Sequence, residues 1–205
     1  MILYWLIWSS LRLYFFGWLG VRVDGLENVP SNGAAIACVN HRSWADPLLV
    51  GAVFPRHLFY MAKEEMFNVP ALGLILRTVG AFPVRRHSAD RRALRKAMAL
   101  LASRRIVAVF PEGTRSRSGA LGKAEPGAAL LAAWSKSLVV PVAISGEYRR
   151  GHLSVRIGAP FRVAVGEARS ARDLQAVADE QIMGAVRGLL VQGEPLGTKA
   201  VLGRH

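Results

Sequence analysis

The chain has 205 residues, enough for one domain with a substantial core. Hydrophobic residues make up 52% and mean hydropathy is +0.25, yet 27 Lys and Arg against 14 Asp and Glu leave a formal charge of +13. That combination excludes a disordered chain and points to anionic partners: nucleic acid, an anionic membrane face or phosphorylated substrates. The single cysteine, Cys38, excludes an internal disulfide and fits a cytosolic or cytosol-facing protein.

Residues 1–20, MILYWLIWSSLRLYFFGWLG, carry seven aromatic residues and one charge, Arg12. As a helix the segment is about 28 Å long, barely enough to cross a bilayer core. It has neither the basic start nor the small-residue cleavage site of a signal peptide. Ser9 and Arg12 share a face, and Trp5, Trp8 and Trp18 suit a membrane–water boundary. The reading is a membrane-associating helix lying in or half inserted into the interface, with a true span and a buried core helix as alternatives.

After Pro30 the pattern alternates between strands and helices. Residues 34–39 read as a buried strand, 47–54 as a helix with Pro47 in its first turn, 57–62 as a strand, 64–78 as a helix and 80–85 as a short strand. Leu94, Ala97, Met98 and Leu101 mark one apolar face of a helix over 90–103. A strand follows at 105–110, a helix at 126–137 and a strand at 138–145. Residues 153–163 read as a strand pair or hairpin, and 170–191 as a last helix. The expectation is an α/β fold: a single layered domain over 21–195, with a central mostly parallel or mixed sheet flanked by helices. The glycine-rich residues 196–205 form a tail.

Three clusters carry chemistry. In VNHRSWADPLL (39–49), His41 and Asp46 lie five apart. Five residues point about 140° apart in a helix and to opposite faces in a strand, so the two meet only if the backbone between them bends. A strand ending near Val39, and a proline after Asp46 that disfavours helical geometry there, supply the bend. Asp46 as a plain helix N-cap and His41 as a loop histidine are the bland alternatives. The chemical one has Asp46 fix the imidazole tautomer so that the other ring nitrogen takes a proton from a hydroxyl. No G-x-S-x-G elbow is present, and Cys38 falls on the opposite strand face from His41, as a buried core cysteine. The second cluster, FPEGTRS (110–116), follows a strand. Glu112, Gly113, Thr114 and Arg115 put an acid, a permissive backbone, a hydroxyl and a guanidinium together, which suits phosphate. The third, GAFPVRR (80–86), ends a strand in Arg85 and Arg86. Together the three strand ends predict one cationic pocket.

N-H-x-x-x-x-D at 40–46, GAFPVRR, FPEGTRS and VPVAI (140–144) resemble, in order, the four signature blocks of the glycerolipid acyltransferases, and the resemblance covers roughly residues 25–160. It implies a glycerol-3-phosphate acyltransferase-like fold. It also implies transfer of a fatty acyl group from acyl-CoA or acyl-carrier protein to 1-acylglycerol 3-phosphate, giving phosphatidic acid for phospholipid synthesis, with no metal and no prosthetic group. By the same resemblance His41 is the general base and Asp46 its orienter, while Arg86, Glu112, Gly113, Thr114 and Arg115 bind the acceptor. Where many members have an acid before the last arginine of the second block, this chain has Arg85.

The five histidines (41, 57, 87, 152 and 205) form no ligand-spaced pair, so no metal site is expected. GALGKA (119–124) lacks the spacing of a phosphate loop. The basic run 85–96 reads as a solvated helix face or a contact with an anionic membrane surface. Competing readings are the same chemistry on glycerol 3-phosphate, another lysophospholipid or an amine lipid, a lipid-binding module without activity, and a basic nucleic-acid-binding protein. The last lacks any recognisable signature, so no nucleic-acid partner is expected. The expected location is the cytoplasmic face of the cell membrane, peripheral or monotopic.

Overall fold

The computed structural model describes residues 2–85, 90–116, 121–166 and 170–191. Among them, seven strands form one mixed sheet: β1 (Arg22–Asp24), β2 (Ala35–Val39), β3 (Leu58–Lys63), β4 (Ala81–Val84), β5 (Ile106–Val109), β6 (Leu138–Gly146) and β7 (Leu153–Ile157). Their order is β1-β7-β6-β2-β5-β3-β4. The five strands from β6 to β4 are mutually parallel, while β7 runs antiparallel to β6 and carries β1 parallel to itself. All five residues of β2 are buried, as expected of a strand in the middle of a sheet covered on both faces.

Ala35, Ala37 and Val39 point to one face, and Ile36 and Cys38 to the other. The first face is covered by α1 (Ile2–Arg12), α2 (Asp46–Val53) and α3 (Pro70–Thr78), the second by α4 (Arg91–Ala102), α5 (Gly127–Ser135) and the segment Ala171–Met183, which opens as α6 (Ala171–Val177). A last helix, α7 (Gly184–Val191), ends the described chain. Cys38 sits wholly inside the second layer, and burial pushes its thiol up to about 12. This is the inert core cysteine that its strand position predicts.

Most elements fall where the sequence puts them. The helix expected over 64–78 is two pieces, a tight turn Glu64–Asn68 and α3, divided at Val69-Pro70 because a residue before proline disfavours helical geometry. The strand β1 has only three residues and carried no periodic signal. The expected strand pair over 153–163 is instead one strand, β7, followed by an isolated bridge between Val139 and Phe161. Pro141 is the reason. It faces the same side of β6 as Val139 and lacks an N–H, so the ladder cannot run on past it. Gly158 donates to the Pro141 carbonyl at 2.9 Å, and a Cβ at 158 would come within 2.9 Å of the proline ring. The tail 196–205 lies outside the described residues.

Helix α1 and the wider π-wound turns Leu13–Trp18 that continue it are asymmetric. Phe15 and Leu19 are in the core, with Ile7, Leu11 and Phe16 packed against it. Arg12, the charged residue of the segment, turns inward: its guanidinium donates to the Ala52 carbonyl in the last turn of α2 at 2.9 Å and lies over the rings of Trp8 and Phe16. Leu3, Trp5, Leu6, Leu13, Tyr14 and Trp18 stay exposed. No helix among the described residues is long and apolar enough to cross a membrane. The wholly buried helix is set aside: the segment is docked on one side and keeps an apolar stripe on the other.

At the amino ends of the strands, the Arg56 guanidinium donates to the carbonyls of Pro30, Gly33 and Arg104, joining the loops that lead into β2 and β5. Removing it orphans three carbonyls. Arg56→Ala is expected to cost on the order of 2 kcal/mol, a fall in Tm of about 4–8 °C for a chain of this size. Calorimetry checks this, and an unchanged Tm would show the three bonds to be exchangeable with water.

Candidate active site

The chain leaves the sheet at Asn40. Its buried side chain continues the β2–β6 ladder: Nδ2 donates to the Ile144 carbonyl at 2.9 Å and Oδ1 accepts from the Ile144 N–H at 2.7 Å. One residue on, both main-chain groups of His41 are held by the 110–116 loop. Its N–H donates to Glu112 Oε1 at 2.8 Å, and its carbonyl accepts from the Ser116 N–H at 2.9 Å. The second and third sequence clusters are thus separate in outcome. The FPEGTRS loop at the end of β5 joins the His41 loop at the end of β2. Arg85, at the end of β4, instead forms an ion pair with Glu64 at 2.6 Å and donates its N–H to the Asp90 carboxylate, while Arg86 lies outside the described residues. Of the two arginines expected to meet the acceptor's phosphate, Arg115 is the one among the described residues.

His41 Nδ1 lies 2.9 Å from Asp46 Oδ2. The imidazole is 7% exposed, Asp46 is fully buried, and the Phe110 ring packs on the imidazole at 4.3 Å between centroids. A carboxylate only accepts, so Nδ1 is assigned as the donor. The same Oδ2 accepts from the N–H groups of Arg42 at 2.5 Å and Ser43 at 2.7 Å. Those bonds bend the backbone and bring residues 41 and 46 together. Asp46 departs from two expectations here. It is the first residue of α2 rather than a non-helical residue before it, and its carboxylate reaches back into the preceding loop instead of capping the helix, whose N-cap position is Ala45. Pro47, next in the chain, sits where a missing N–H leaves no intrahelical bond unmade.

Glu112 is buried, and its second oxygen accepts from the Gly122 N–H at 2.8 Å. Both oxygens therefore hold main chain. Gly113 adopts φ +65°, a left-handed turn that glycine takes without strain. A Cβ there would also meet the Glu125 side chain at 3.1 Å. Thr114 and Arg115 are exposed. The Arg115 guanidinium lies over the Trp44 ring, 4.0 Å from its centroid, a cation–π contact.

Two further side chains belong to this arrangement and carried no sequence signal. Trp44 occupies an unspecified place inside N-H-x-x-x-x-D. Tyr148, in the turn after β6, donates its O–H to Asp46 Oδ1 at 2.5 Å. Chemically, the arrangement is an imidazole oriented by a buried carboxylate, next to an exposed guanidinium and hydroxyl, at the carboxyl ends of parallel strands where α/β sheets collect ligands.

Comparison with known proteins agrees with this geometry. The family model described as Acyltransferase matches residues 20–145. A 1-acyl-sn-glycerol-3-phosphate acyltransferase of Bacillus subtilis is 31% identical over 152 residues, covering 71% of this chain and 75% of the relative. A chloroplastic 1-acyl-sn-glycerol-3-phosphate acyltransferase of Arabidopsis thaliana is 33% identical over 146 residues, 68% of this chain but only 39% of that longer protein. The crystal structure of the 1-acyl-sn-glycerophosphate acyltransferase PlsC from Thermotoga maritima superposes with a TM-score of 0.69 at 25% identity, over 92% of this chain and 81% of that one. With the family model spanning both the His41–Asp46 loop and the loop from β5 that clamps it, the chain belongs to the Acyltransferase family.

Proposed function

We propose that this chain moves a fatty acyl group from a thioester, acyl-CoA or acyl-carrier protein, to the free hydroxyl of 1-acylglycerol 3-phosphate, giving phosphatidic acid. The observation that carries the reading is the His41 Nδ1–Asp46 Oδ2 hydrogen bond, held by the very loops that match the family. The relatives' names supply the acceptor.

In this mechanism His41 Nε2 takes the proton of the acceptor hydroxyl as its oxygen attacks the thioester carbonyl. The new C–O bond forms, the C–S bond breaks, and the departing thiolate takes the proton back from the imidazolium. Asp46 keeps Nδ1 protonated and stabilises the transient cation. No metal or prosthetic group enters any step. Arg115, resting on Trp44, forks the acceptor's phosphate. Gly113 and Thr114 add main-chain and hydroxyl contacts, and Arg86 joins them by its place in the second block. Glu112 acts through the loop it fixes, since both its oxygens already hold N–H groups. The acceptor and product are amphiphiles, so the reaction belongs at an anionic membrane surface, on the cytoplasmic face where the thioester donors are. The exposed stripe of α1 supplies apolar contact there, and the net positive charge supplies attraction that salt screens.

His41→Ala is expected to lower kcat by about 10²–10⁴-fold with the melting curve preserved; a folded variant near the wild-type rate would remove His41 from the chemistry. Asp46→Asn keeps an acceptor for the Arg42 and Ser43 N–H groups but loses the charge opposite the imidazolium. Its rate should fall much further than its stability. A loss confined to Tm would leave Asp46 a purely structural group.

Arg115→Ala is expected to raise the acceptor KM by roughly 10- to 100-fold, the equivalent of a lost charge-assisted hydrogen bond, while the donor KM changes little. Assays over a panel of glycerol 3-phosphate, lysophosphatidate and neutral lysophospholipids read this and the acceptor class together. Equal effects on both substrates would contradict a phosphate contact.

Deleting residues 1–20 would remove Phe15 and Leu19 from the core, so the membrane contact is better tested on the exposed stripe. The triple variant Trp5→Ser, Leu13→Ser, Trp18→Ser should bind anionic vesicles at least about tenfold more weakly, given the apolar area withdrawn, with Tm nearly unchanged. Flotation at two salt concentrations measures it. Vesicle binding equal to wild type would assign the stripe another partner.

A further inference from the structure

The end of β6 and the turn that follows it approach the His41–Asp46 loop at three points spaced two residues apart. Ile144 is bonded on both its main-chain groups by Asn40, the Gly146 carbonyl accepts from the Arg42 guanidinium at 2.8 Å, and Tyr148 donates to Asp46. The first two hold the loop. The third reaches the reacting pair itself. The oxygens of Asp46 are unequally served: Oδ2 accepts from His41, Arg42 N–H and Ser43 N–H, while the donor to Oδ1 among the described residues is the Tyr148 phenol.

We infer that Tyr148 is a positioning residue of the transfer reaction, locking the plane of the Asp46 carboxylate and moderating its pull on the His41 Nδ1 proton. The inference rests on the reading of His41 as general base and adds a third member to that pair. A fully buried carboxylate with one unserved oxygen could rotate about its Cβ–Cγ bond and carry the imidazole with it. The phenol blocks that rotation from the side opposite the main-chain donors. It also takes a share of the negative charge, so that Asp46 orients His41 without making its imidazole too ready to hold a proton. The phenol stays a donor under all working conditions, because burial, and next the Asp46 charge, push its own proton affinity far above the ordinary tyrosine value.

The other titratable groups near the pair come from three elements. Arg42 lies in the loop before α2, Glu112 and Arg115 in the loop after β5, and Glu147, Arg149 and His152 in the turn after β6. Among the described residues, no cationic side chain hydrogen-bonds the Asp46 carboxylate: Arg42 turns its guanidinium to Gly146, Arg115 lies on Trp44, and Arg149 lies against Glu147 and His152. Besides the imidazole, the donors to the carboxylate among the described residues are two main-chain N–H groups and the phenol, and the phenol is the one among these three that a side-chain substitution removes cleanly.

The sign of the effect follows. Without the phenol, Asp46 is a stronger acceptor, the imidazolium form of His41 is favoured, and the acid limb of the pH profile moves up. The test is Tyr148→Phe in the full chain, assayed on lysophosphatidate and acyl-CoA over pH 5–9, with His41→Ala measured alongside. The acid limb of kcat/KM is expected to rise by about half to one pH unit. With it, kcat should fall by about tenfold and the acceptor KM should stay within about twofold. The low-field proton resonance of His41 Nδ1–H, which needs no turnover, should move downfield. An unmoved acid limb overturns the inference, even if kcat falls, because lost packing would explain that fall. An unmoved resonance overturns it independently. If His41→Ala retains activity, the general-base reading itself fails; if His41→Ala is inactive and Tyr148→Phe keeps the wild-type profile, only the role of Tyr148 fails.

Discussion

The structure turns on how two main-chain groups of one residue are satisfied. At His41 the chain has left the sheet but not the interior, so its N–H and carbonyl have no strand partner and little access to water. A buried backbone polar group left unpaired costs about as much as a lost hydrogen bond. The loop after β5 meets both needs, with Glu112 accepting and Ser116 N–H donating. Asn40 performs the same service one residue earlier, its amide standing in for a peptide against Ile144. The loop that carries the imidazole is therefore an extension of the sheet built from side chains, and it inherits the sheet's rigidity.

The two buried carboxylates of the site divide the work. Glu112 holds main chain with both its oxygens. Asp46 holds the ring, two N–H groups and a phenol. Among the described residues, neither is hydrogen-bonded by a lysine or arginine side chain. Their charges are dispersed over oriented N–H and O–H groups, which gives fixed geometry without the flexibility of a long basic side chain. The exposed Arg115, resting on Trp44, is held far more loosely, as suits a group that must meet and release a ligand.

Much of this was legible in the sequence. The strand and helix periodicities located nearly every element, since a sheet covered on both faces writes continuous apolar runs. Spacing showed that His41 and Asp46 could meet only across a bend, and it was the resemblance of N-H-x-x-x-x-D to a family signature that implied they do. Other features were hidden for physical reasons. The task of Glu112 is to satisfy backbone, and backbone needs depend on which strands become neighbours. Tyr148 lies 102 residues from Asp46 in the chain, and its contact exists only because β6 lies beside β2. The strand β1 is too short for alternation to show, and the break after β7 depends on a proline in a different strand.

Helix α1 has a consequence for how the protein meets a surface. Its arginine goes to the end of α2, the same helix that begins at Asp46, and the turns that continue it give Phe15 and Leu19 to the core. Such a helix cannot lift away without opening the domain beneath it. It is a keel rather than a tether. The height and tilt of the imidazole above any surface the keel rests on are fixed by the fold, independent of linker length or chain flexibility. A substrate held at a fixed depth in that surface would therefore meet His41 at a depth set by side-chain packing.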